Sequence, residues 1–228
     1  MQHKHHIVFL TGAGISQESG ISTFRDANGL WNNHKIEEVA SPEGFEKNPQ
    51  LVLDFYNARR RQLDEVEPNA AHHLIAQLET KYNVTVITQN IDDLHEKAGS
   101  TNALHLHGEL KKSRSSKNPN LIYDCNQDIK LGDLASDGSQ LRPHIVWFGE
   151  AVTEIENAKA ITQSADLFVI VGTSMMVHPA ASLLLAVPVD VQTVYIDTNP
   201  NVEVGINLLV IKEKATVGVR QLIEVYLP

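Results

Sequence analysis

Cysteine is almost absent from this chain: one residue, Cys125, in 228. That count excludes an internal disulfide and any single-chain site that needs several thiolates, Cys-rich zinc coordination included. No run of about 18 apolar residues occurs, and the polar Met1 to His6 leads straight into the strand-like Ile7-Val8-Phe9-Leu10. Neither a membrane span nor a signal peptide is therefore expected, and the expected address is the cytoplasm. An excess of basic charge is missing as well, with 19 Lys and Arg against 28 Asp and Glu, a net charge of −9. This balance argues against a broad surface for gripping nucleic-acid phosphates and makes a basic protein or peptide the more natural partner.

What is present is enough apolar material, 42% of residues, to bury a core. Short β-branched runs recur at Ile7 to Leu10, Val84 to Thr88, Leu167 to Gly172, Thr193 to Asp197 and Leu208 to Ile211. Helix-like stretches lie among them at Pro49 to Asp64, Ala70 to Tyr82, Glu154 to Ser164, Pro179 to Ala186 and Thr216 to Tyr226. Apolar runs that do not alternate suit strands covered on both faces, so the expected fold is α/β, a Rossmann-like doubly wound parallel sheet. Residues 1–228 read as one domain. Two insertions, about 32–64 and 111–142, break the rhythm; the first looks helical, the second is rich in Ser, Asn, Asp and Gly with little periodicity. Together they are expected to make a smaller lobe.

The first strand runs into Thr11-Gly12-Ala13-Gly14-Ile15-Ser16. Glycines there let the backbone approach a pyrophosphate, although a plain structural turn would use the same residues. The usual dinucleotide fingerprint needs a glycine at position 17, which is Gln17, and an acid ending a second strand about 20 residues on, whereas the next clear strand starts near Val84. The loop suits a phosphate, but an ordinary dehydrogenase is disfavoured.

Other segments carry chemistry of their own. Gln89, Asn90 and Asp92 follow a strand, at the end where open α/β sheets place a ligand crevice, and could read a ribose and a carboxamide; an Asx-rich helix cap at 90–93 is the plainer reading. His105 and His107, two apart, would share a face on a strand, which leaves a metal pair, structural roles or general-base chemistry open. Tyr56 and Arg59, three apart on a helix, share one face and could converge on one anion, or belong to a solvated basic face with Arg60 and Arg61.

The first loop continues through Gly20-Ile21-Ser22-Thr23-Phe24-Arg25-Asp26 to Gly29-Leu30-Trp31, and this whole stretch closely resembles the cofactor loop of sirtuins. Further matches to that family follow in order: Thr88-Gln89-Asn90-Ile91-Asp92, His105-Leu106-His107-Gly108-Glu109, Arg142-Pro143-His144-Ile145-Val146-Trp147-Phe148-Gly149-Glu150, Gly172-Thr173-Ser174 and Asp197-Thr198-Asn199-Pro200.

The resemblance implies NAD-dependent deacylation of acylated lysines in proteins or peptides, with His107 as base and Asn90 orienting ribose and water. It implies NAD contacts from Gly12, Ala13, Gly14, Ser16, Gln89, Ile91 and Asp92, the last holding the nicotinamide carboxamide. Phe24 and Arg25 would form a closing lid that keeps water from the reactive sugar, though Phe24 alone could be core filler. Gly172, Thr173 and Ser174 would meet phosphate or ribose, with Asn199 and Ala215 near the adenosine; single residues of these types are otherwise ordinary caps. Val146, Phe148 and Gly149, opposed by Val177, match the strip that pairs by backbone with an extended peptide. In the subgroup that includes bacterial desuccinylating deacetylases, a tyrosine and an arginine spaced like Tyr56 and Arg59 grip succinyl or malonyl groups, and Ala40 matches a small residue that leaves them room.

Sirtuins generally hold zinc with four cysteines in two pairs, yet Lys111 to Leu141 offers only Cys125 and no histidine. No zinc is expected, so either packing of Leu121, Ile122, Tyr123, Ile129 and Leu131 replaces the metal or the lobe is looser. Two other readings remain open at this level: NAD glycohydrolase or ADP-ribosyltransferase activity, and a catalytically silent NAD-sensing module.

Overall fold

The computed structural model describes residues 5–21, 30–31, 34–201 and 207–227. Its centre is a six-stranded parallel sheet in the order Leu208–Ile211, Gln192–Ile196, Leu167–Val171, His6–Thr11, Asn83–Thr88, Ala103–His105. The chain starts in the middle strand, moves to one side through Asn83–Thr88, then crosses to Leu167–Val171 on the other, which makes a topological switch point beside His6–Thr11. The strands are buried on both faces, as their unbroken apolar runs predict. Ile7, Phe9, Val86, Val169 and Val194 face the helices Ala70–Leu78 and Ala215–Tyr226, while Val8, Leu10, Ile87, Phe168 and Ile170 face Ile155–Gln163 and the 3₁₀ segment Ala180–Ala186. Ala103–His105 is a sixth strand that the sequence does not announce, because three residues are too few to carry a period.

The register aligns Thr11 with Thr88 and Val171, and Val171 with Ile196, so the four following loops leave the sheet along one edge. Above that edge sits the smaller lobe. Its helix Pro49–Gln62 starts with Asn48, whose side chain accepts from Leu51 N at 3.2 Å, has Pro49 in the first turn, and ends in three arginines that suit the negative end of its dipole. Its second part contains three antiparallel strands, Gly108–Ser115, Ile122–Asp124 and Leu141–Ile145, where little periodicity was expected. These strands bury only one partial face, so polar residues fill much of their length. The two insertions meet through a reciprocal pair, Asn57 Nδ2 to Ile129 O and Ile129 N to Asn57 Oδ1, both 2.9 Å, and through Arg60 Nε donating to Leu110 O at 2.7 Å. Among the described residues no helix is long and apolar enough to cross a membrane.

Candidate active site

Between the sheet edge and the smaller lobe lies a cavity of about 620 Å³. Gly12, Ala13, Gly14 and Ser16 enter it from the first loop, and Gly172, Thr173 and Ser174 from the loop after Leu167–Val171. These two loops interlock. A Cβ on Gly14 would lie 2.7 Å from Gly172 Cα, one on Gly172 would lie 2.4 Å from Ile15 N, and Gly172 has φ +62. Gly12 N and Gly14 N already donate to Val171 O and Gly172 O, at 3.0 and 2.8 Å. The glycines are thus required first for the contact of loop with loop, and the bare backbone surface this leaves is what a phosphate-bearing ligand would approach.

Gln89, Asn90, Ile91 and Asp92 line the next wall. Asn90 Nδ2 donates to Gly12 O at 3.2 Å and to Ser16 Oγ at 3.1 Å, and Ser16 Oγ donates to Asp92 Oδ2 at 3.0 Å. Asn90 does not act as the helix cap; the short helix Leu94–Lys97 follows Asp93, and Asp92 Oδ1 accepts from Leu94 N at 3.3 Å. Burial pushes the Asp92 carboxyl up to about 6, against the lowering effect of Ser16 and Leu94.

The two histidines do not share a strand face, because the strand stops at His105 and Gly108, at φ +82, turns the chain into the next one. Each ring instead binds a different carbonyl of the segment that carries Gln89 and Asn90. His105 Nδ1 meets Asn90 O at 3.0 Å and its Nε2 meets Glu96 at 2.9 Å; His107 Nδ1 meets Gln89 O at 2.9 Å. Their titrations split accordingly. Burial opposes charge on both, but the Glu96 hydrogen bond and ion pair outweigh it and raise His105, whereas burial prevails and lowers His107. Only His107 lines the cavity. A carbonyl can only accept, so its Nδ1 carries the proton and Nε2 keeps the lone pair.

Ala40, Tyr56 and Arg59 also line the cavity, with Val146, Trp147, Phe148, Gly149 and Val177. Tyr56 is fully buried and its hydroxyl accepts from Trp147 Nε1 at 3.0 Å. Arg59 is buried too, its guanidinium 3.9 Å from the Phe55 ring centre, so the plainer reading of a solvated arginine face does not hold; Arg60 likewise turns inward. Burial pulls Arg59 down to about 10, still cationic at neutral pH, and raises the Tyr56 phenol, which stays protonated. Val146 N donates to His107 O, Trp147 N to Glu150 and Phe148 N to Ala40 O.

Two residues expected near the adenosine are not among those lining this cavity. Asn199 is exposed: its backbone N donates to Asp197 Oδ1 at 2.8 Å in a tight turn, and Asp197 and Thr198 line the cavity in its place. Ala215 is buried at the start of the last helix, off the cavity, where Glu18 caps the neighbouring Thr216. Phe24 and Arg25 fall outside the described residues. Trp147, Arg142 and Glu150 were visible only as members of a motif; no local signal gave them separate parts. Glu150 pairs with Arg142 at 2.7 Å and Arg142 stacks on Trp147 at 3.2 Å, which ties the strip to the small sheet.

The Sir2 family model matches residues 12–179 of this chain. An NAD-dependent protein deacylase of Helicobacter pylori is 56% identical to it over 218 residues, 95% of each chain. The crystal structure of a Sir2 homolog–NAD complex matches with a TM-score of 0.86 at 37% identity, covering 97% of this chain and 89% of that one. A mutant Sir2 homologue in complex with 2′-O-acetyl ADP ribose matches with a TM-score of 0.83 at 36% identity, covering 97% and 91%.

Proposed function

This chain belongs to the Sir2 family, and from that premise we propose that its cavity deacylates lysine side chains of proteins or peptides with NAD, giving nicotinamide and 2′-O-acyl-ADP-ribose. The observation that carries this reading is the single cavity in which the interlocked glycine loops, His107 and the Tyr56–Arg59 pocket all open. The residues fit NAD. Buried polar groups at Asn90, Asp92 and Ser16 beside a bare glycine backbone suit a ribose, a carboxamide and phosphates. NAD, when bound, supplies a ribosyl carbon that exchanges its bond to nicotinamide for one to the acyl oxygen.

Each side chain has a part in this reading. Asp92 holds the carboxamide, Gln89 and Asn90 the ribose, and Thr173 and Ser174 a ribose or phosphate. Asn199 and Ala215 belong to the adenosine end, and Phe24 with Arg25 to a lid. His107 Nε2 takes the proton of the ribose 2′ hydroxyl; low basicity from burial keeps it neutral and ready at pH 7. A peptide would pair with the carbonyl side of 146–149, since the N–H groups of Val146, Trp147 and Phe148 are occupied.

The acyl group accepted includes acidic ones. A buried cation and a protonated phenol beside small Ala40 are a receptor for a carboxylate, and a charge-assisted contact of this kind contributes about 1.5–3 kcal/mol. Arg59→Ala is expected to cut kcat/KM on a succinyl-lysine peptide about 10- to 150-fold, and on an acetyl-lysine peptide by a far smaller factor. Equal losses would defeat the clamp. The same assay, following nicotinamide and peptide mass together, tests the activity as a whole: nicotinamide release that ignores the peptide would favour NAD hydrolysis, and none at all a sensor.

The small lobe is read as zinc-free. The lobe holds hydroxyls around a carboxylate rather than thiolates: Ser115 and Ser139 donate to the two oxygens of Asp137, each at 2.7 Å, and Ser115 Oγ accepts from Lys117 N and Asn118 N. Cys125 stands apart, its thiol donating to Gln127 O. Such a set does not fit a tetrahedral structural zinc. Apolar packing is not the substitute, since Ile122 and Leu131 are about half exposed and Ile129 is the only one of the five that is buried. We expect elemental analysis of the purified protein to find zinc far below one equivalent and EDTA to leave thermal unfolding unmoved; about one equivalent, lost together with stability, would overturn this.

A further inference from the structure

Asn90 is fixed from three directions, and one of them is supplied by a histidine outside the cavity. Asn90 N donates to Thr88 Oγ1 at 3.0 Å, and the side-chain Nδ2 donates to Gly12 O and Ser16 Oγ. Gly12 O can only accept, so the nitrogen of the amide must face it. Both amide protons are thereby used. Among the described residues no donor reaches Asn90 Oδ1, so this side chain meets a ligand in the cavity as an acceptor, suited to a hydroxyl or a water.

The third hold is on the backbone carbonyl. Asn90 O takes its hydrogen bond from His105 Nδ1 at 3.0 Å. His105 ends the strand Ala103–His105, level with Thr88, and its Nε2 meets Glu96 Oε1 of the short helix Leu94–Lys97 at 2.9 Å. A ring turned over would set carbon where each acceptor now has nitrogen, so the two contacts together fix its orientation. Only 8% of the side chain is exposed, and it does not line the cavity. The peptide plane after Asn90 is therefore held by the Glu96–His105 pair and the one before it by Thr88, which fixes the Cα from which Oδ1 projects. We propose that His105, oriented by Glu96, is the positioning residue for Asn90: it contributes to the rate of the NAD-dependent reaction by holding Asn90 Oδ1 where the ribose hydroxyl or water is oriented. This rests on the reading of Asn90 as the contact to ribose and water.

His105→Leu removes the donor and keeps much of the volume. Its kcat for deacylation should fall about 10- to 100-fold, the cost of misplacing a group at the reacting centre by about 1 Å, with KM for the acyl-lysine peptide unchanged. Two conservative variants separate positioning from bulk. His105→Asn puts an amide nitrogen where Nδ1 stands and should keep most of kcat, whereas His105→Gln puts it where Nε2 stands and should lose as much as His105→Leu. Equal kcat for the Asn and Gln variants overturns the proposal, and this pair decides even if His105→Leu fails to fold. In an Asn90→Ala background the His105→Leu penalty should vanish, because the side chain it acts through is gone; an additive penalty overturns the proposal. The two levels separate. If Asn90→Ala lowers kcat strongly and His105→Leu does not, this inference fails while the reading of Asn90 stands. If Asn90→Ala leaves kcat unchanged, both fail.

Discussion

Replacing His107 by Ala will lower deacylation about 10²- to 10⁴-fold, the contribution general-base catalysis ordinarily makes, with little change in folding stability. The reasoning begins with the ring's tautomer. Gln89 O, an acceptor only, holds Nδ1–H at 2.9 Å and so leaves Nε2 as a lone pair on the cavity side. Burial moves the imidazole below its ordinary 6.5, against the raising effect of that same hydrogen bond. A base works in its deprotonated form, above its pKa. A lowered value therefore extends the working range toward acid, and the rate should be level through neutral pH and fall only below the usual histidine range. Steady-state rates of the purified variant, with unfolding temperature as the control for folding, check the assignment; activity within tenfold of the unmodified protein would sink it. His105 is no substitute, since it does not line the cavity and its Nε2 is taken up by Glu96, which raises its pKa.

Asp92→Asn should move stability and activity in opposite directions. The folded protein raises this carboxyl from 3.8 to about 6, chiefly by desolvation. Between those values the folded state binds more protons than the unfolded one, so the stability linked to this group is fully present below pH 3.8 and is lost as pH rises through about 6. At pH 7.5 the folded chain carries the buried charge at a cost of about 3 kcal/mol. An uncharged amide of the same shape still accepts from Leu94 N and can pair with Ser16. The variant should therefore unfold at a temperature higher by roughly 5–10 °C at pH 7.5, with the advantage shrinking by pH 5 and gone near pH 4. Its kcat/KM for NAD should fall about 10- to 150-fold, the range for losing a charged hydrogen-bond acceptor. Calorimetry across that pH range with NAD titrations tests both halves; a variant less stable at pH 7.5, or one with unchanged NAD kinetics, would contradict the argument. A buried carboxylate retained at this cost is what a binding site keeps and a structural site would lose.

The family, the parallel sheet and the ordered cofactor segments were legible in the sequence because each rests on local or nearest-neighbour chemistry. Unbroken β-branched runs demand burial on both faces, and strand-end glycines, amides and hydroxyls fall where parallel strands present ligands. That Asp197 and Thr198 line the cavity beside Asn199 was not legible, because nothing in four letters reveals which residues of a turn closed by Asp197 line it. The short strand Ala103–His105 and the polar three-stranded sheet were missed because neither carries a period long enough to read.

Sequence alone determined which side chains this chain has to work with: a histidine suited to act as a base, the amides and acid near it, one cysteine where a zinc site would need four, and a tyrosine and an arginine on one helix face. Tertiary structure decided what each of them is. It raised the pKa of His105 and lowered that of His107, two residues apart, by giving one a carboxylate and the other only a carbonyl. It buried Arg59 against an aromatic ring and set Trp147 behind Tyr56, 91 positions away in the chain. Residue types are local properties, whereas burial, hydrogen-bond role and protonation state belong to neighbours that only folding brings together.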